Sequence, residues 1–278
     1  MSEAPALDER TAIAADGAIL RYAVTGQGAP VVFLHGTFGS RDDFRRQLPL
    51  ASRFRLILRD LRGHNGSEPR VPPDYALDTT EIADLDAVLD AESLARAHIV
   101  GHSTGGAIAY AYALKRPERV RRLVLIEATL IGLAPAEIQA VEREQRERAN
   151  RLAEAGDLRG AVDETLGRAL GADWRTRASP RMVARADAAA AMQVPINRGL
   201  LALNASPAGL QAITAPTLVI HGGSSTRLHG AVYEAIARTR PDWRFLRIEG
   251  AGHAVHVQCA AEVNAAIAAF LAEEREDA

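Results

Sequence analysis

The stretch Ile99–Val100–Gly101–His102–Ser103–Thr104–Gly105–Gly106 constrains this chain more than any other. It reads as the end of an apolar strand, a Gly-x-Ser-x-Gly turn, and an alanine-rich helix from Ala107 to Lys115. A strand that gives way to a helix within five residues leaves little room beside the turn. Gly101 and Gly105 lie two residues either side of Ser103, where a Cβ would crowd the turn or the neighbouring strand. The serine then sits on a strained turn with its hydroxyl pushed out of the sheet edge. The helix that follows points its N-terminus at that hydroxyl, which favours negative charge building up there. These are the requirements of a nucleophile elbow, and they demand a sheet with helices packed on it.

The rest of the chain supplies one. Residues 11–14 and 18–24 predict a hairpin around an Asp16–Gly17 turn. Pro30–Val31–Val32–Phe33–Leu34 is an unbroken apolar run, the signature of a strand buried on both faces. Further strands are expected at 55–58, 120–126, 217–221 and 243–248, with helices at 42–51, 78–94, 228–238 and 257–274. Apolar strands alternating with helices predict an α/β fold, a mostly parallel sheet with helices on both faces. Residues 129–210 break the alternation. They are helix-rich and strand-free, with helices expected at 135–155, 158–170 and 180–191. They are expected to form an inserted helical cap, leaving 1–128 and 211–278 as the core. Glu142/Arg146 and Glu144/Arg148, each four apart, read as a solvated helix face. Residues 273–278 are expected to fray.

Composition narrows the function classes. With 278 residues and 47% hydrophobic content, the chain can bury a sizeable core. A net charge of −2 offers no electrostatic case for nucleic acid or an anionic membrane. No apolar run approaches the ~20 residues of a membrane span. The polar, acidic N-terminus lacks an apolar signal core, so a cytoplasmic location is expected. Lys115 is the only lysine, which reads as compositional bias. Cys259 is the only cysteine, so neither an intramolecular disulfide nor a Cys/His zinc cluster is available. The eight histidines are scattered without metal-ligand spacing. The expectation is a small-molecule substrate, no cofactor or metal, and a monomer or homodimer.

Four landmarks fall in order along the chain: Leu34–His35–Gly36, then Asp60–x–Arg62–Gly63–x–x–Gly66, then the Ser103 turn, then Gly250–Ala251–Gly252–His253. Together they resemble the α/β-hydrolase superfamily over nearly the whole chain. The likeness is to its cap-bearing branch of small esterases, lactonases, cofactor-free haloperoxidases and haloalkane dehalogenases. The resemblance implies the α/β-hydrolase fold, with an eight-stranded sheet and an inserted cap. It also implies Ser103 as nucleophile, His253 as base, and the backbone N–H groups of Thr37 and Thr104 as the oxyanion hole. Dehalogenases and epoxide hydrolases of the family carry Asp at the elbow, so a serine there points to acyl transfer instead. Phe38, Leu130, Trp174 and Met192 are the expected substrate-lining residues, with Arg198 among the scattered cap arginines. The expected reaction is cleavage of a carboxylic ester or lactone of a small, largely apolar substrate through an acyl-enzyme. The alternatives are carbon–carbon hydrolysis, lyase, cyclase or cofactor-free haloperoxidase chemistry, or a non-catalytic ligand-binding homologue.

One family feature is missing. The acid usually follows strand seven in a Gly-x-x-Asp pattern, but Ser225 stands at that position, and no Asp or Glu occurs between Ile213 and Tyr233. Glu127, at the end of strand six, is expected to replace it, as in some haloalkane dehalogenases. Asp60, a rival acid, reads as structural together with Arg62. Among the other histidines, His35 reads as buried, His102 as fixing the elbow and His256 as opening the last helix. His64, His98 and His229 read as surface residues, and His221 ends strand seven.

Overall fold

The computed structural model describes residues 6–273. Expected fraying beyond Glu273 and the extreme N-terminus fall outside that range. Among the described residues, eight strands form one sheet: β1 (Asp8–Ile13), β2 (Ile19–Thr25), β3 (Ala29–Leu34), β4 (Phe54–Arg59), β5 (Ala97–His102), β6 (Val120–Ile126), β7 (Thr217–Gly222) and β8 (Arg244–Ile248). Their order is β1-β2-β4-β3-β5-β6-β7-β8. β1 and β2 pair antiparallel, as do β2 and β4, while β3 to β8 run parallel. The hairpin expected at the N-terminus forms, and pairing from Asp8↔Val24 to Ile13↔Ile19 starts β1 three residues early.

The helices are α1 (Thr80–Ala91), α2 (Thr104–Lys115), α3 (Ala136–Glu154), α4 (Leu158–Leu170), α5 (Trp174–Arg177), α6 (Pro180–Ala188), α7 (Gln193–Ala202), α8 (Pro207–Ala212), α9 (Arg227–Thr239), α10 (Val255–Gln258) and α11 (Ala260–Leu271). The segment expected as a helix at 42–51 is a 3₁₀ helix, Arg41–Ser52, opened by a Ser40/Asp43 capping box and running through Pro49. Successive residues of the central strands enter different cores. Val32, Leu34, Ile99, Leu123 and Leu125 face one, while Val31, Phe33, Val100, Val124 and Ile126 face the other. Burial on both faces is why these strands read as unbroken apolar runs. No helix among the described residues is long and apolar enough to cross a membrane.

The expected C-terminal helix breaks at Cys259 into α10 and α11. The His256 carbonyl, which a continuous helix would bond four residues on, instead accepts from Gln47 Nε2 at 2.7 Å. Between β6 and β7 the described residues hold helices and no strand. α7 and α8 go beyond the helices expected there; Pro195 within the first turn of α7 needs no amide partner and is compatible with a helix start. The solvated-face reading of α3 holds for the exposed Glu144 and Arg148 but not for Glu142 and Arg146. Those two are buried under α7, where Arg146 donates to Asn197 Oδ1 at 3.0 Å and to Glu142 at 3.2 Å. α6 is tied to the 3₁₀ helix by Arg181–Asp42 and Arg185–Asp43 ion pairs, both 2.5 Å, and by Arg185 donating to Ser40 at 2.9 Å.

Candidate active site

The carboxyl ends of β3, β5, β6 and β7 place the candidate residues together, the edge of a parallel sheet where ligands bind. Ser103 follows β5 with φ 55° and ψ −116°, a backbone conformation that costs on the order of 1–3 kcal/mol. Close packing enforces it. A Cβ at Gly101 would lie 2.2 Å from the Gly105 carbonyl oxygen, and one at Gly105 would lie 2.1 Å from that of Leu34. Ser103 is half-buried between buried neighbours. Five non-glycine residues among those described have positive φ, and three are Phe38 (58°), Ser103 (55°) and Glu127 (50°). Backbone strain of this kind collects at functional sites.

Glu127 leaves the end of β6 and turns its carboxylate toward β7 and the loop after β8. His253 Nδ1 lies 3.1 Å from Oε2. The Ser225 hydroxyl donates to the same oxygen. Oε1 accepts from His221 Nδ1 and from the Gly222 amide, each at 2.7 Å. The side chain has no solvent exposure. Burial alone would raise its pKa. Hydrogen bonds from His221 and His253 outweigh that and hold it well below the usual carboxylate range. A carboxylate at Nδ1 fixes the His253 proton there and leaves Nε2 as the basic nitrogen. Ser225 therefore occupies the expected position of the acid and bonds to Glu127, not to His253.

The remaining expectations fall into place unevenly. Thr37 Oγ1 and Thr104 Oγ1 are 2.6 Å apart, which joins the two loops expected to carry the oxyanion donors. Ser103 Oγ is hydrogen-bonded to Thr129 Oγ1, 3.3 Å away, and not to His253. All four residues expected to line a substrate pocket are buried. Leu130 and Met192 belong to the main core, whereas Phe38 and Trp174 pack with Val162, Leu166 and Ala186 in a separate cluster. Arg198 is exposed and pairs with Glu154 at 2.9 Å, so it reaches no site residue. Asp60 accepts from the Arg41 amide at 2.8 Å and from Asn65 at 3.0 Å. Arg62 is bound to Asp84 at 2.6 Å and Asp16 at 2.8 Å. These partners accord with the structural reading of both residues.

Three histidines depart from their expected places. His64, His98 and His229 are all buried, not on the surface. His64 folds under its turn, with Nδ1 2.8 Å from the Arg62 carbonyl and its ring 5.0 Å from His35. His98 lies within β5, where both faces are covered. His229 enters the site itself, its ring centroid 4.3 Å from that of His253. His35 is buried as expected, with Nε2 accepting from the Leu61 amide at 2.9 Å. His102 braces the elbow through Nε2 and the His253 carbonyl, 3.0 Å apart. His256 lies in the short α10 and not at the start of the long last helix.

Thr129, His221 and His229 are the site residues that sequence reasoning did not assign. Thr129 carried a usable signal, since it lies two residues beyond Glu127 on the same loop. The structure also gathers what the scattered sequence positions did not suggest: Glu127, His229 and His253 offer ligand atoms within 4.8 Å of one another. The 3.1 Å Glu127–His253 contact has hydrogen-bond geometry, so a metal there would have to replace the shared proton.

Comparison with known proteins bears on the family and the fold. The model of a family described as "alpha/beta hydrolase fold" matches residues 29–258. The 2-hydroxymuconate semialdehyde hydrolase of Pseudomonas sp. (strain CF600) is 31% identical, over 90% of this chain and 89% of that protein. A solved hydrolase from Pseudomonas aeruginosa PA01 superimposes with a TM-score of 0.79 at 26% identity, covering 95% of this chain and 98% of that one. A thermophilic esterase from Thermogutta terrifontis does so with a TM-score of 0.78 at 26% identity, covering 96% and 98%.

Proposed function

This chain belongs to the α/β-hydrolase family, and on that premise we propose that it is a serine hydrolase cleaving a carboxylic ester or lactone. Ser103 is the nucleophile, His253 the base and Glu127 the acid. The reading rests above all on the Glu127 carboxylate, which meets His253 Nδ1 at 3.1 Å and carries three further donors. Such an acid sets the imidazole tautomer and stabilises the imidazolium formed when Nε2 takes the serine proton.

In this mechanism Ser103 Oγ attacks the substrate carbonyl as His253 Nε2 accepts its proton. The backbone N–H groups of Thr37 and Thr104 receive the developing oxyanion, and each such donor contributes about 2.7–4 kcal/mol to transition-state stabilisation. His253 then protonates the leaving alkoxide, giving the acyl-enzyme. Water, deprotonated by the same imidazole, attacks the acyl carbon, and the imidazolium protonates Ser103 Oγ as the acyl–Oγ bond breaks and the acid is released. Residues 129–210 act as a cap, a role supported by the buried apolar cluster that Phe38 shares with Val162, Leu166 and Trp174. The apolar, buried side chains of Phe38, Leu130, Trp174 and Met192, as the proposed lining, favour a small, largely apolar substrate.

The test is a panel of nitrophenyl esters and lactones with the wild type, Ser103→Ala and Glu127→Gln. A burst of leaving group equal to the enzyme concentration, abolished in Ser103→Ala, is expected. Turnover surviving in Ser103→Ala rules the reading out.

A further inference from the structure

We propose that His229 is a positioning residue for Ser103, acting through the Thr129 hydroxyl, and that the pair holds the serine in a resting orientation off His253. The inference rests on the serine-hydrolase reading above. It starts from an unbroken side-chain path: Ser103 Oγ to Thr129 Oγ1 at 3.3 Å, Thr129 Oγ1 to His229 Nε2 at 3.4 Å, and His229 Nδ1 to Thr226 Oγ1 at 2.7 Å.

The path has a direction. Glu127 Oε2 lies 3.9 Å from His229 Nδ1, and a lone pair facing that carboxylate would be repelled, so the proton belongs on Nδ1. Oε2 is already engaged by Ser225 and His253, and the Nδ1–H turns to Thr226, the N-cap of α9. Nε2 is then an acceptor for the Thr129 hydroxyl. Thr129 in turn has its lone pairs free for the Ser103 hydroxyl. Burial holds the His229 ring neutral, its pKa well below the ordinary value, as an acceptor requires.

Two buried imidazoles, His229 and His253, thus face the same Glu127 oxygen, Oε2, while His221 holds Oε1, and the serine in this structure is bonded to the His229 side. The backbone makes Thr129 a fixed partner: its amide donates to the Ser103 carbonyl at 3.1 Å, while the Ser103 amide donates to Ile126 at 3.0 Å. Those bonds survive loss of the Thr129 side chain. For attack, the serine must leave Thr129 and turn to His253 Nε2, and the hydrogen bond it gives up adds to the barrier.

The experiment measures the rate at which a fluorophosphonate labels the active serine, which requires no knowledge of the natural substrate. Thr129→Val is expected to label roughly two- to tenfold faster than wild type, the equivalent of one modest hydrogen bond. Thr129→Ser restores the hydroxyl and the wild-type rate. His229→Phe is expected to match Thr129→Val, and His229→Gln, whose amide oxygen can accept, to stay near wild type. Because His229 acts through Thr129, the Thr129→Val/His229→Phe pair is no faster than either single variant. Unchanged or slower labelling in Thr129→Val overturns the proposal, as does a His229→Phe effect that persists in full when Thr129→Val is already present. Ser103→Ala separates the two readings: label taken up by that variant defeats the serine-hydrolase assignment itself, whereas a silent Ser103→Ala leaves the other arms to decide on His229.

Discussion

Glu127 accepts from His221, Gly222, Ser225 and His253 on two oxygens, which leaves little freedom for its orientation. Glu127→Gln keeps the shape and removes the charge. The expected result is a fall in turnover of roughly 10²- to 10⁴-fold with unchanged circular dichroism, because the imidazolium loses its counter-charge. Ser225→Asp alone sets a second carboxylate against the first, so its melting temperature should drop. Paired with Glu127→Ala it restores a single acid at the family position and should regain part of the lost turnover, which an ester assay measures directly. The proposed acid was readable in the sequence as a vacancy at Ser225 combined with a carboxylate ending β6. His229 was not legible. It follows a helix cap by three residues on an amphipathic helix, where a histidine reads as polar surface, and only the arrival of β6 and the loop after β8 encloses it.

Close packing at the Ser103 turn and the Arg185 ties of α6 set two element-scale expectations. Gly105→Ala places a methyl group 2.1 Å from a backbone oxygen of β3, which cannot step aside as a flexible side chain could. A loss of at least about 3 kcal/mol is expected, read from the urea midpoint. Arg185 joins α6 to Ser40 and Asp43. Arg185→Ala leaves Asp43 without its cation and should cost about 1–3 kcal/mol. The same change should speed protease cleavage within residues 171–192, and an unchanged digestion pattern would count against α6 being held there by this contact. Strand positions were legible because a sheet covered on both faces needs unbroken apolar runs. The break at Cys259 was not, since it depends on Gln47, more than two hundred residues away, capturing the His256 carbonyl. The burial of Arg146 escaped for the same reason: its partner Asn197 comes from another helix.

Across the whole molecule, six of the eight histidines are buried with pKa values pushed down by desolvation. His64 and His98 fall to about 4 and His256 to about 3. Unfolding lets these rings take up protons below pH ~6.5, so the unfolded state binds more protons and stability falls as pH falls. At pH 5, His64 and His98 each remove about 2 kcal/mol. Glu127, with its lowered pKa, adds a further loss as pH drops below ~4.5. Asp60, raised to about 6 by burial, and the buried Asp43 and Glu81 act in the opposite sense. The rings outnumber them, and the melting temperature should decline between pH 7 and pH 5 in a calorimetric series. A flat series over that window would contradict the burial of these rings as neutral groups. Fold class was legible from alternation alone, whereas this acid lability was not, because it depends on which histidines the tertiary structure encloses. Phe38 has a consequence of a different kind. It holds a left-handed backbone at 58° in the loop after β3, and its side chain belongs to the same buried apolar cluster as Val162, Leu166 and Trp174 of the helices between β6 and β7. That packing braces a turn which a free loop would relax. Replacing the helices between β6 and β7 removes the partners of Phe38, so the loop beside Thr37 is expected to need compensating changes at the same time.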